Sequence, residues 1–194
     1  PSANVIALDL STQMLRHARG RWPWHNRARV CGDHGALPIK TASVDLIVSN
    51  LGLGEGTMGD PERSLAEFAR VLAPGGLLLF ATLGPDSFKE LAHAWLATDE
   101  TVTLPPLVDM HDLGDALTRH GFAGVVVDAE KIQVTFPAIG DLFAELVSAG
   151  AVNLGPGRSR GLRGRDCRTR LAANYPRNAE GGFEVTLEHD YAHA

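Results

Sequence analysis

Short apolar segments alternate with segments of helical spacing from the beginning of the chain, and this alternation limits the fold more than any other feature. Val5–Leu8, Ala28–Cys31 and Val44–Val48 are short apolar runs followed by polar residues, which is typical of buried strands in a parallel sheet. Ser11 and Asp60 precede helical segments as N-cap residues. The pattern predicts an α/β fold with a mainly parallel sheet and helices on both faces.

The rest of the chain continues the alternation until one insertion interrupts it. The predicted elements are a strand at Leu77–Thr82, helices at Pro85–Ala97, Met110–His120 and Ala138–Ala149, extended segments at Val125–Val127 and Ile132–Phe136, and a final strand at Phe183–Tyr191. Residues 137–178 hold two helices and a loop before that final strand, and we expect them to form a lid over one end of the sheet. The chain is thereby divided into a core at residues 1–136, the lid at 137–178, and a C-terminal strand at 179–194 that completes the core sheet.

Composition excludes several classes of protein. Of the 194 residues 44% are hydrophobic, which is enough for a folded domain, and no apolar run approaches the roughly 20 residues of a membrane helix. The net charge of −5 argues against nucleic acid as a partner. The two cysteines cannot form a disulfide framework, and the eight histidines lack the spacing of a zinc site, so we expect a cytoplasmic protein without a bound metal or a membrane partner. We also expect a monomer.

Polar residues follow three of the predicted strands, at the positions where ligands bind to doubly wound sheets. These residues are Asp9, Asp33 and Asn50. A carboxylate after one strand can accept hydrogen bonds from both hydroxyls of a ribose, and a carboxylate after the next strand suits the exocyclic amino group of an adenine. Each residue taken singly is better explained as a turn or helix-cap residue, so only their succession along the chain favours a nucleotide site.

Several motifs resemble a known family when they are taken in order. Four of them are Val5–Leu15 (VIALDLSTQML), Cys31–Pro38 (CGDHGALP), Ser43–Leu51 (SVDLIVSNL) and Ala69–Gly76 (ARVLAPGG). In this order and spacing they resemble the class I S-adenosylmethionine-dependent methyltransferases. The segments 82–95, 109–122 and 146–164 extend the likeness, and with them the whole chain resembles the malonyl-[acyl-carrier protein] O-methyltransferases of biotin synthesis.

The resemblance implies a Rossmann-like three-layer sandwich, with a mainly parallel sheet and an antiparallel C-terminal strand. It implies S-adenosylmethionine as the cofactor, with Asp9 on its ribose, Leu10 and Met14 beside the ribose or the adenine, Asp33 and His34 at the adenine, and Asn50 and Leu51 beneath the methionine part. The implied substrate is a malonyl thioester on acyl-carrier protein, which is methylated on its free carboxylate. Because a carboxylate is already ionised at pH 7, the site needs no dedicated general base, and the sequence singles out no catalytic residue.

Two departures from the family pattern leave other functions open. The glycine-rich motif that should lie about 20 residues upstream of Asp9 would fall before Pro1, so the first strand of the fold is missing and we expect the chain to be part of a longer protein. Four glycines between Gly52 and Gly59 stand where the family usually places an aromatic residue after Leu51. The first departure suggests a degenerate methyltransferase-like module for binding or assembly, and the second a methyltransferase for another carboxylate or small molecule.

One segment has a charge opposite to that of the whole chain. Residues 151–178 contain seven arginines and one acidic residue, which gives this segment a net charge of +6. A solvated surface would account for it. The resemblance favours a docking surface for acidic acyl-carrier protein, with Arg158, Arg160 and Arg163 as the contacting residues, because arginine binds carboxylates and phosphates well.

Overall fold

Strands and helices alternate along most of the structure. A computed structural model describes residues 4–17, 27–53, 61–98, 107–148 and 166–194. The elements in these ranges are β1 (Val5–Asp9), α1 (Thr12–His17), β2 (Arg27–Cys31), β3 (Val44–Asn50), α2 (Pro61–Val71), β4 (Leu72–Leu83), α3 (Lys89–Thr98), α4 (Met110–Arg119), β5 (Val126–Phe136), α5 (Ile139–Ser148), α6 (Asp166–Asn174) and β6 (Phe183–His193). None of these helices is long and apolar enough to span a bilayer.

The described strands form two sheets. β1 pairs in parallel with β2, and the other four strands form a sheet in the order β3-β4-β6-β5. β3 and β4 are parallel, whereas β6 runs antiparallel to both β4 and β5. This confirms the predicted α/β fold with an antiparallel C-terminal strand near one edge. The division lies between β1 and β3, and each of these two strands has one edge without a partner among the described strands.

The main core lies between the four-stranded sheet and two helices. Leu65 and Phe68 of α2, together with Leu117 of α4, pack against Leu78 and Phe80 of β4. The helical spacing of these apolar residues explains why α2 and α4 each bury one face against the sheet. On the opposite face of β3 and β4 the apolar side chains are exposed; they are Leu46, Val48, Leu77 and Leu79.

A second core lies on the part of the sheet that extends beyond β4. β5 and β6 pair over their whole length, from Val126 opposite His193 to Phe136 opposite Phe183, and we call this pair the β5–β6 ribbon. β4 pairs with β6 only as far as Leu83, so half of the ribbon projects past the carboxyl end of β4. Side chains of α3, α5 and α6 cover this projecting half, and they include Leu91, Leu142 and Leu171. The described helices of the predicted lid therefore share a core with the sheet.

Three predicted boundaries are wrong, each for a local reason. α3 begins at Lys89 and not at Pro85, because residues 85–88 form turns and Phe88 has a positive φ of 59°. β4 begins at Leu72 and not at Leu77, since the Pro-Gly-Gly sequence forms an irregular part of the strand in which Gly75 has a φ of 78°. β5 is one continuous strand, because pairing with β6 extends through the polar residues that separated the two predicted segments.

Replacing a buried leucine of α4 should destabilise the main core. Leu117 has no exposed surface, and we expect Leu117→Ala to lower the free energy of unfolding by about 2–5 kcal/mol, since the substitution leaves a cavity. The matched control is Leu96→Ala in α3, where the side chain is 55% exposed and the expected loss is under about 1 kcal/mol. Urea denaturation of the full-length protein, followed by circular dichroism, measures both. Equal losses in the two variants would contradict the assignment of this core.

Candidate functional site

The first predicted binding residue, Asp9, ends β1 and shapes the turn that follows it. Its Oδ1 atom accepts a hydrogen bond of 2.7 Å from the backbone N–H of Ser11. The Ser11 hydroxyl in turn accepts from the N–H of Met14 at 3.3 Å, which caps α1 as the sequence predicted. Leu10 and Met14 are exposed on this turn and helix. The chain therefore presents a carboxylate and two apolar side chains together at the carboxyl end of β1.

The second pair of predicted residues, Asp33 and His34, follows the neighbouring strand β2. The backbone N–H of Gly32 donates to the carbonyl of Asp9 at 3.2 Å, so the ends of β1 and β2 are joined directly. Oδ1 of Asp33 accepts from the N–H of Gly35 at 2.8 Å, and Nδ1 of His34 lies 2.6 Å from Oγ of Ser64 in α2. Burial lowers the pKa of His34 and the charge of Asp33 opposes this shift, so the imidazole is neutral at pH 7.

The backbone of the segment after His34 forms hydrogen bonds with side chains along one side of α2. The N–H of Leu37 donates to Oε2 of Glu67 at 2.6 Å, and the guanidinium of Arg70 donates to the carbonyls of Leu37 at 2.9 Å and Ile39 at 2.8 Å. Glu67 and Arg70 also form a salt bridge of 2.6 Å. Because the segment and α2 run side by side in the same direction, His34 lies near the N-terminal end of α2. That end of the helix follows the carboxyl end of β3.

The last two predicted residues end β3 at the same side of the molecule. Asn50 is opposite Ala81 in the pairing of β3 with β4, and the N–H of Leu51 donates to the Ala81 carbonyl at 2.8 Å. Leu51 has a φ of 55°, an uncommon conformation for leucine that turns the chain sharply away from the strand. The carbonyl of Leu53 accepts a hydrogen bond of 3.1 Å from the buried Thr82 hydroxyl. The glycines from Gly54 to Gly59, and Arg158, Arg160 and Arg163, lie outside the described residues.

Six of the seven predicted cofactor-binding residues thus lie at or directly after the carboxyl ends of three successive strands, and Met14 lies in α1, the helix that follows the first of them. Asp9 and Asp33 are brought together by the β1–β2 pairing, and the contacts along α2 place Asp33 and His34 at the same end of the fold as Asn50. Carboxylates at this edge can accept hydrogen bonds from ligand hydroxyl and amino groups, and a neutral imidazole adds a flat polar surface. The set suits a nucleoside ligand.

Comparisons with known proteins identify the family. Residues 1–80 match the model of a methyltransferase domain family. The chain is 41% identical over its whole length to the malonyl-[acyl-carrier protein] O-methyltransferase of Laribacter hongkongensis, of which it covers 68%. It is 37% identical to the protein of the same name from Gallionella capsiferriformans, again over the whole chain and 69% of the relative. The chain belongs to this family.

Solved structures agree with the fold. The YcgJ protein of Bacillus subtilis superposes with a TM-score of 0.62 at 13% identity, over 98% of this chain and 81% of that protein. A phosphoethanolamine N-methyltransferase of Haemonchus contortus gives a TM-score of 0.54 at 15% identity, over 99% of this chain and 44% of the enzyme. At such identities the likeness concerns the fold alone. Family membership confirms the predicted enzyme class and S-adenosylmethionine as the cofactor, and it does not favour a degenerate module or another acceptor.

One buried residue at this end of the sheet was missed by the sequence analysis. Asp190 of β6 is opposite Thr82 in β4 and Ala129 in β5, and it is only 1% exposed. Neither of its carboxylate oxygens has a hydrogen-bond partner among the described residues. Burial raises the pKa of Asp190 to about 6, with the charges of Glu188 and Asp109 adding to the shift. In the sequence Asp190 alternates with Glu184, Thr186 and Glu188 on the side of the strand opposite Phe183, Val185 and Leu187, so no local pattern marked it as buried.

The stability of the protein should depend on the charge of Asp190. Because the folded state raises the pKa of this carboxyl above its unfolded value, the folded state holds the proton more tightly, and stability falls as the pH rises from about 4 to about 6. Asp190→Asn removes this dependence. We expect the stability of the variant relative to wild type to increase by about 2 kcal/mol between pH 4.5 and pH 7.5, and then to level off.

Urea denaturation of both proteins across this pH range measures the difference. Asp128→Asn, which replaces an exposed carboxylate of the neighbouring strand β5, is the control variant. A stability difference for Asp190→Asn that stays constant with pH would contradict the raised pKa.

Proposed function

We propose that the protein transfers a methyl group from S-adenosylmethionine to the free carboxylate of a malonyl thioester on acyl-carrier protein, as a step of biotin synthesis. The observation that carries this proposal is the match of the whole chain to relatives named for that reaction. The described site supports it, because polar residues at three strand ends form a surface suited to a nucleoside. Methylation would remove the charge of the malonyl carboxylate and leave an apolar acyl group on the carrier.

The cofactor would be held by the residues that end β1, β2 and β3. We infer that Asp9 accepts hydrogen bonds from the ribose hydroxyls, with Leu10 and Met14 covering the ribose or the adenine. Asp33 and His34 would contact the adenine. Asn50 and Leu51 would line the slot for the methionine part. Two observations support the fit: Asp9 and Asp33 follow adjacent paired strands, and the backbone after β3 turns sharply at Leu51.

Methyl transfer to a carboxylate would depend more on alignment of the two reactants than on proton transfer. When it is bound, S-adenosylmethionine supplies an electrophilic methyl group on a positively charged sulfur. A carboxylate acceptor is ionised at neutral pH, so the residues of this chain need to orient it, exclude water and leave its attacking oxygen unprotonated. We infer that Asn50 and Leu51 at the end of β3 would contribute to orientation and to exclusion of water, and no proton-accepting side chain would be required beside them.

The segment 137–178 would act as a lid that recognises the carrier protein. Its described helices α5 and α6 pack on the projecting half of the β5–β6 ribbon, beyond the carboxyl end of β4. Arg168 lies 5.9 Å from the ring centre of Phe143, and Arg177 lies 4.3 Å from that of Phe183, so both side chains rest on aromatic rings while remaining exposed. These contacts support a cationic surface at this end, of which Arg158, Arg160 and Arg163 would be the docking part.

Asp9→Asn should weaken binding of S-adenosylmethionine. The asparagine oxygen can still accept from the Ser11 N–H, so the turn is kept while the charge that strengthens the ribose hydrogen bonds is lost. We expect the Kd to rise about tenfold or more. Isothermal titration calorimetry on the full-length protein measures it, with Asp45→Asn, which changes an exposed residue near the start of β3, as the control. An unchanged Kd for Asp9→Asn would remove this residue from the site.

Reversing the charge of the lid arginines should slow methylation of the carrier-bound substrate. Attraction between a cationic segment and an acidic carrier mainly raises the association rate, and salt weakens it because the Debye length is about 10 Å at 0.1 M. Wild-type turnover on malonyl-acyl-carrier protein should therefore fall as salt increases. The triple variant with Arg158, Arg160 and Arg163 each changed to Glu should be slow and nearly insensitive to salt, with little loss of stability.

The test compares initial rates against ionic strength for two substrates. A malonyl thioester without the carrier protein should show neither the salt dependence nor the effect of the triple variant. The matched control reverses three other exposed cations, Arg16, Arg29 and Lys40, and should keep the wild-type salt dependence. If wild type fails to methylate malonyl-acyl-carrier protein at any salt concentration, the proposed substrate is wrong. If it succeeds and the triple variant behaves like wild type, only the docking surface is wrong.

A further inference from the structure

A buried serine contacts the predicted adenine-binding histidine from a distant helix. Ser64 belongs to α2 and is only 1% exposed, and its Oγ atom lies 2.6 Å from Nδ1 of His34. The two residues are 30 positions apart in the chain, so the contact depends on the packing of α2 beside the segment after β2. A hydroxyl can donate to Nδ1 or accept from it, so the contact is compatible with either tautomer, and it restrains the orientation of the imidazole ring.

Two other side chains of α2 form hydrogen bonds with the backbone that follows His34. Arg63 donates to the carbonyl of Gly35 at 3.3 Å, and Glu67 accepts from the N–H of Leu37 at 2.6 Å. Ser64 and Glu67 are three residues apart and face the same neighbouring segment. Backbone contacts at Gly35 and Leu37 thus fix the path of the loop, and the Ser64 hydroxyl is the contact that acts on the histidine side chain itself.

We propose that Ser64 is a positioning residue for the cofactor, which holds the His34 ring in one orientation so that Nε2, the ring nitrogen that Ser64 does not contact, faces the adenine. The inference rests on the proposed function, because it gives His34 its role from that proposal. Ser64 itself would not contact the cofactor and would act only through His34. A ring that is fixed before binding loses less freedom when the ligand arrives, so the contribution falls on affinity and not on the methyl-transfer step.

The experiment uses the full-length protein and three variants, Ser64→Ala, His34→Ala and the double variant. Calorimetry gives the Kd for S-adenosylmethionine, and steady-state kinetics separates KM for each substrate from kcat. We expect Ser64→Ala to raise the Kd about fivefold, as loss of one hydrogen bond does, with kcat at saturating cofactor and KM for malonyl-acyl-carrier protein unchanged. In the double variant the Kd should equal that of His34→Ala, because Ser64 has no other route to the cofactor.

Long-range ¹H–¹⁵N NMR of the histidine ring supplies a readout that a purely structural role would not change. The Nδ1 chemical shift of His34 in wild type should be that of a hydrogen-bonded ring nitrogen, and this shift should change in Ser64→Ala. Ser43→Ala is the control, since it also removes one serine hydrogen bond, 2.6 Å long and donated to the Lys40 carbonyl, at a position away from His34. It should leave the Kd and the NMR signal unchanged.

The outcomes separate this inference from the proposed function. Wild type that fails to bind S-adenosylmethionine would overturn the proposed function itself. If wild type binds, the positioning role is overturned by a wild-type Kd in Ser64→Ala, by a wild-type Kd in His34→Ala, or by additive losses in the double variant. Equal losses in His34→Ala and in the double variant, with a smaller loss and retained kcat in Ser64→Ala and a changed Nδ1 signal of His34, support it.

Discussion

The pairing of β6 with β4 on one edge and β5 on the other is the interaction on which the rest of the structure depends. Through it the main core under α2 and α4 is continuous with the second core under α3, α5 and α6. β6 also holds the turn between β4 and α3. The carbonyl of Glu188 accepts from the N–H of Gly84 at 2.9 Å and from the hydroxyl of Ser87 at 3.0 Å, and its carboxylate accepts from the N–H of Asp86 at 2.8 Å.

This position explains why β6 carries polar side chains inside the molecule. Thr186 gives both its N–H and its hydroxyl to the carboxylate of Glu90 in α3, at 2.9 and 2.5 Å, and Glu188 is used by the turn. A side chain at Gly84 could not be accommodated, because a Cβ atom there would lie 2.6 Å from Cγ of Glu188. Asp190, the next residue on the same face, lacks such a partner in the described structure. Its buried charge therefore lowers the stability of the protein above pH 6.

Features that depend on neighbouring residues were predictable from the sequence. The strand ends at Asp9 and Asn50 and the N-cap at Ser11 follow from local spacing and capping rules, and the structure has them. The positive φ of Phe88 and the Ser64–His34 contact were not predictable in this way. Each of them requires a partner far away in the chain. The conformation of Phe88 depends on β6, because the Thr186 carbonyl accepts a hydrogen bond of 2.8 Å from the Phe88 N–H. The Ser64–His34 contact depends on α2. Local patterns carry no information on such partners.

The division of the sheet and the exposed apolar face have one physical explanation. A strand edge without a partner and a row of exposed apolar side chains each favour association with another segment. Here they occur together: β3 has an edge without a described partner, and Leu46 and Val48 of β3 are exposed beside Leu77 and Leu79 of β4. A strand between β1 and β3 would pair with the strand edge that has no described partner, and a helix after it would cover the exposed apolar side chains. The turn after such a strand would then lie at the carboxyl edge between Asp9 and Asn50, beside the predicted cofactor-binding residues.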